Sequence, residues 1–323
     1  MNGLGLNRPR PDNEDTSSAV AAFLGEARQG LSLPFPGHGR TAERLRALRD
    51  QSANDASVGR LFEAHTDAIA ILFEAGVQPP SFTALAVWAS GPTTSTFLDK
   101  KGDSFVLNGK RSFCGGASIV DAALVTADSP QGERLVLVDL RRSGVFVDSA
   151  SWKSEAFRDA GIATVQFSDA RVAPGALIGP PGWYGTRPGF WYGAVGVAAM
   201  WAGITDSLLA RLPLLLRHRD QISGAATGAI QASMWAVAAL LDQAGAQIDG
   251  LPDTRSAQSG KAIALACRHT VRSHLESAIL AFDQEVGPAA IAFDSDLGRT
   301  RSELTMSMAQ THGPRDLVIL AET

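Results

Sequence analysis

The chain is poor in the residues that build the simplest kinds of site. Its 323 residues contain two cysteines, Cys114 and Cys267, far apart and in segments of different predicted type. That excludes a disulfide framework and points to two reduced thiols in a cytoplasmic protein. Six histidines show no pair at metal-ligand spacing, so no metal site is expected. The net charge of −4 at pH 7 lacks the basic excess of a nucleic-acid or anionic-membrane partner. No apolar run is read as approaching the ~20 residues that span a bilayer. The opening residues, MNGLGLNRPRPDNEDTSS, have no basic stretch leading into an apolar one, so no signal peptide is expected.

What the chain has is the material for a large core. With 45% hydrophobic and 19% charged residues over 323 positions, it suits a soluble protein of two or three domains. Residues 1–17 are polar and are read as a disordered tail. Helices are predicted at 18–28, from Thr41 as N-cap, and at 56–75, where Val58, Leu61, Phe62, Ile69, Leu72 and Phe73 share a face and Gly76 ends the run. The period then shortens toward 2, with strands expected at 82–90, 104–114, 121–128, 134–140, 144–148 and 163–170. A Gly- and Pro-rich loop from Pro174 leads to a long apolar helix from Phe190, which Pro213 should kink or split. Further helices are expected at 225–248, 256–285 and 298–310. The expected domains are a helical one over 18–80, a β-domain over 81–175 and a helical one over 176–323.

Within the β segment, FVLNGKRSF reads as a hairpin: Phe105 and Leu107 on one strand, an Asn108-Gly109 turn, and 111–114 returning. This stretch with the CGG that follows, LAVWASGP at 85–92, and FRDAGIATVQFSDARVAPGALIG at 157–179 resemble, in that order, three motifs of the acyl-CoA dehydrogenase superfamily. The resemblance implies an α+β fold of helices, a central β-barrel or sandwich, and a C-terminal helical bundle, usually as a homo-oligomer. It implies a flavin, FAD with FMN as the other form, held by Trp88, Ser90, Phe113, Cys114 and Gly115, with Arg217 at the pyrophosphate. The cofactor then carries the redox chemistry, and the protein supplies position, electrostatics and a base.

The base departs from the pattern. A Glu-Gly is usual near the C-terminus of the dehydrogenases, whereas this chain has His312-Gly313. An imidazole near neutral pKa can act as a general base, which makes His312 one catalytic candidate and His65 another. Arg158, Phe190 and Trp191 are expected to meet substrate. The leading expectation is oxidation of an acyl thioester, on CoA or a carrier protein, with flavin as hydride acceptor and an external electron acceptor. The alternatives are a reduced-flavin-dependent monooxygenase of the same fold, served by a flavin reductase, and a non-catalytic relative that binds an acyl ligand or partner. RSFCGG at 111–116 and the two histidines resemble the monooxygenase group.

Overall fold

The computed structural model describes residues 16–89, 96–216, 221–251, 257–311 and 313–323. The tail expectation therefore lies, up to residue 15, outside the described residues. The chain divides into two compact units: one takes the chain up to Leu33 and Arg60–Phe190, the other Pro34–Gly59 and Trp191–Thr323.

The first unit is built on helix α3 (Ala56–Glu74), which belongs to it from Arg60 on, and two four-stranded sheets. One sheet has the order β1 (Leu85–Trp88), β4 (Ala122–Ala127), β5 (Arg134–Asp139), β8 (Leu177–Ile178), with β1 parallel to β4. Strand β4, AALVTA, is buried at every position, as a central strand covered on both faces must be. Ala68, Ile71 and Leu72, one turn apart on α3, pack on Leu85, Leu124, Leu135, Leu137 and Ile178. Each large aliphatic side chain so buried contributes roughly 1.5–3 kcal/mol. Helix α1 (Ser18–Arg28) is tied to the same sheet by Arg28, whose Nε lies 3.1 Å from the buried carboxylate of Asp121.

The second sheet is antiparallel: β2 (Thr96–Lys101), β3 (Ser104–Cys114), β7 (Ala163–Val172), β6 (Val145–Asp148). Here the hairpin reading is corrected. Strand β3 runs straight through Asn108-Gly109, and the turn lies at Gly102 (φ 62°), between β2 and β3. Gly109 uses its positive φ of 110° for a bulge against β7, and the Asn108 side chain accepts the Asp169 N–H at 2.7 Å. The Asn-Gly pair supplies the same left-handed backbone to either feature, so sequence alone does not separate them.

The second unit is helical. Helix α2 (Thr41–Asn54) has its N-terminus capped from a distance: Asp249, the last residue of α7 (Gln221–Asp249), accepts the Thr41 N–H at 2.8 Å and the Gly39 N–H at 3.0 Å. Thr41 is therefore inside the helix rather than its cap. Gly203 of α5 (Pro188–Leu209) lets that helix touch α2, since a Cβ there would lie 2.0 Å from the Arg49 carbonyl. Arg49 and Asp206 pair beside this crossing. Pro213 is the second residue of the short α6 (Leu212–Leu215), which realises the expected break. Helix α8 (Ala257–Phe293) kinks at Gly287-Pro288, and α9 (Ser295–Met308) and α10 (Pro314–Ala321) follow.

One compositional expectation is overturned. Two segments, Pro188–Leu215 and Gly224–Asp249, are long and apolar enough to cross a membrane by length and composition; 61% of the first window is buried and 22% of the second. Isolated charges such as Asp206 and Asp242 interrupt these runs without lowering their mean hydropathy far.

Candidate functional site

The site begins with a defect in β3. The pairing of β3 with β7 slips between Arg111 and Cys114, and at this bulge Phe113 takes a left-handed backbone (φ 58°). A left-handed non-glycine residue costs of order 1 kcal/mol. The bulge turns the phenyl ring outward, leaving it 67% exposed. Its partner is Trp152, at 5.8 Å between ring centroids and 80° between planes.

The bulge is anchored by hydrogen bonds and close packing. Below it, the buried Arg111 guanidinium donates to the Thr126 carbonyl at 2.6 Å and to its hydroxyl at 3.0 Å, joining the two sheets. The Trp88 indole N–H donates to the Gly115 carbonyl at 2.9 Å, fixing the backbone just beyond. Gly116 (φ 75°) packs so closely that a Cβ would lie 2.6 Å from Val120 Cγ1. Cys114 points the other way: it is fully buried, its thiol donates to the Arg111 carbonyl, and burial pushes its pKa up to about 12. It meets a ligand through its backbone or not at all.

Two hydroxyls lie on the strands that meet at the bulge, Ser112 on β3 and the buried Thr164 on β7. Ser112 and Thr164 approach to 3.5 Å, and the Thr164 N–H donates to Ser151 Oγ at 2.8 Å. The outcome is an edge-to-face pair of rings at the bulge, with an exposed phenyl ring and neighbouring backbone tied by hydrogen bonds.

Of the residues expected from sequence, Trp88, Phe113, Cys114 and Gly115 come together here. Ser90, Arg217 and His312 lie outside the described residues. His65 is elsewhere, in the core of α3: Nε2–H donates to the Leu31 carbonyl and Nδ1 accepts the Leu85 N–H, both at 3.1 Å. Both nitrogens are spent on the main chain, and burial lowers the pKa to about 4. Arg158 is exposed and pairs with its neighbours Glu155 and Asp159. Phe190 packs edge-on against Tyr184 of the short helix α4 (Trp183–Thr186) in the first unit, whereas Trp191 lies in the second with Lys261 5.7 Å from its ring centroid. Sequence reasoning missed Trp152 and Ser151, which lie outside the quoted motifs and reach the bulge only through folding, and it gave no role to Thr164, although that residue lies within the 157–179 stretch.

Neither a family model nor a curated protein matches the sequence. Solved structures do resemble the fold. Methanesulfinate monooxygenase MsuC from Pseudomonas fluorescens superposes with a TM-score of 0.80 at 17% identity, over 95% of this chain and 89% of that one. The fold is acyl-CoA dehydrogenase-like. Dibenzothiophene monooxygenase TdsC from a Paenibacillus species, solved with FMN and indole, gives 0.76 at 16% identity over 94% of each chain. A nitrososynthase from Micromonospora carbonacea gives 0.78 at 17%, over 94% of this chain and 87% of that one. At such identities the likeness establishes architecture, and chemistry has to be argued from the residues.

Proposed function

We propose that the protein is a flavin-dependent monooxygenase that takes reduced FMN from a separate reductase and oxygenates a small organic substrate. The observation that carries this reading is the outward-turned, left-handed Phe113 at the β3 bulge, with Trp152 edge-on to it and the Ser112 hydroxyl next to it in the chain. These residues fit a planar, polar-edged ring: aromatic faces to lie against, and hydroxyls and bulge backbone for its ring heteroatoms. When bound, reduced flavin supplies the activation of O₂. The chain's own part would be to hold the ring, with the Phe113 and Trp152 rings as apolar surface and the Ser112 hydroxyl and bulge backbone as hydrogen-bonding groups. The Trp88–Gly115 hydrogen bond anchors the backbone there.

Acyl-thioester oxidation fits less well. It requires a carboxylate placed to take an α-proton, and the C-terminal segment offers His312-Gly313 in place of Glu-Gly. The monooxygenase identities of MsuC and TdsC favour the same choice. FMN is preferred to FAD because TdsC was solved with FMN and because the arginine motif expected at an FAD pyrophosphate is replaced by LLRHRDQ. The two free cysteines suit a reducing cytoplasm.

On this reading the chain also pairs with itself. Helix α7 carries no charge from Gln221 to Leu241, and its exposed face presents Ala225, Ala229, Ala232, Trp235 and Ala239. Trp235 is 76% exposed, which a second copy would cover. Equilibrium titration with FMN, oxidised and dithionite-reduced, tests the cofactor assignment. Saturable binding with preference for the reduced form supports it, and no binding in either state sinks it.

A further inference from the structure

We propose that Arg60 recognises an anionic group on the substrate, a carboxylate, sulfinate or sulfonate, so that the protein selects organic acids over neutral compounds of the same shape. That the acid is the compound oxygenated rests on the functional reading above. That the chain takes an anion here rests on the geometry.

Three observations carry it. The first is position. A Cβ built on Gly115 would lie 3.9 Å from Arg60 Nε, so the guanidinium stands against the backbone just past the β3 bulge. The buried Leu61 fixes helix α3 at this point, since its Cδ2 lies 3.2 Å from where a Cβ on Gly116 would sit. Gly115 has no side chain to cover the charge, and Trp88 holds its carbonyl. The second is the lack of a counterion. Among the described arginines, Arg60, Arg171 and Arg315 are those whose side chains make no ion pair, hydrogen bond or ring contact. Arg171 and Arg315 are exposed to water, whereas Arg60 is half-buried. A cation withdrawn from water with no partner is unfavourable, and a bound anion offsets that cost. The third is the setting. A net charge of −4 offers anions no general attraction, so a preference for them has to come from a local cation. The guanidinium fork matches a carboxylate or sulfinate with two parallel hydrogen bonds. Two residues before Gly115, the exposed Phe113 ring supplies apolar surface for the organic part.

The test compares wild type, Arg60→Lys and Arg60→Gln, each first shown by melting curves to be folded. Benzoate and hexanoate serve as anionic probes, with benzamide and hexanamide as their neutral counterparts, titrated calorimetrically with and without FMN. Wild type should bind the acids roughly tenfold or more tighter than the amides, as a hydrogen bond to a charged group predicts. Arg60→Gln should lose that margin, Arg60→Lys should recover part of it, and amide affinities should not move. The melting temperature of Arg60→Gln should equal or exceed that of wild type, because no internal partner is lost. Equal binding of acids and amides by wild type, no binding of either, or an unchanged acid affinity in Arg60→Gln would overturn the proposal. So would a glutamine variant that binds FMN more weakly but riboflavin as before, because the anion would then be the flavin's own phosphate. If wild type takes up no flavin, the functional reading fails by itself, and an acid preference that depends on Arg60 still establishes the anion site. Should Arg60→Gln not fold, an acid margin in Arg60→Lys identical to wild type would overturn it, since an ammonium does not reproduce the fork.

Discussion

Acidification should weaken this protein through His65, and the size of the effect follows from its surroundings. The imidazole is 1% exposed, donates from Nε2 to Leu31 and accepts at Nδ1 from Leu85. A proton on Nδ1 would turn that acceptor into a donor facing another donor, inside the core. The folded pKa is lowered from 6.5 to about 4, chiefly by burial. A histidine whose folded pKa is depressed takes up its proton more readily when unfolded. Its stabilising effect is therefore complete above about pH 6.5 and is lost as pH falls toward about 4. Between pH 7 and pH 5 the loss comes to about 2 kcal/mol. The assay is urea unfolding at both pH values for wild type and His65→Gln, since glutamine can donate and accept but does not titrate. Other titrating groups are common to the two proteins, so the difference isolates this site. Wild type should lose about 2 kcal/mol more than the variant. Equal losses would refute the argument and mean that the core admits a charged imidazole.

Three further outcomes are expected. Gly116→Ala should destabilise the first unit by roughly 2 kcal/mol or more, because it needs φ 75° and a Cβ that meets Val120; thermal melts would register it. Asp249→Ala should cost about 1–2 kcal/mol by uncapping α2, with hydrogen exchange accelerated in the first turn of that helix. Trp235→Glu should leave the fold intact and lower the mass seen by light scattering if α7 is a self-association face; an unchanged mass would remove that assignment.

Much of the architecture was legible because its signals are local. The strand at 104–114 and the helix at 18–28 emerged with the expected bounds; in the helix the buried Val20, Phe23, Leu24 and Ala27 keep helical spacing, whereas in the strand Val106 and Leu107 are buried side by side and the turn read inside it is a bulge. Strand β2 was not found. TFLDKK buries only Thr96 and Leu98 and ends in three charged residues, so it reads as a loop until β3 pairs with it. Asn108-Gly109 was assigned to a turn because a bulge and a turn require the same backbone. The site was legible only in part. Phe113, Trp88 and Gly115 came from family resemblance, whereas the role of Trp152 depends on a loop that Ser151 and Thr164 bring beside the bulge. His65 sits on the right helical face for a core residue, but its second partner, Leu85, is twenty residues away and invisible to periodicity. Asp249 as a cap for Thr41 is likewise a tertiary fact, 208 residues removed.

The most direct test of the account is an anaerobic titration of the purified protein with FMN, first oxidised and then reduced, followed by air. Saturable binding that favours reduced FMN, with oxygen transferred to an added substrate when a reductase regenerates the flavin, is the predicted result. Anaerobic bleaching of bound flavin by an acyl-CoA would instead make it a dehydrogenase, and a protein that takes up neither form would contradict the account altogether.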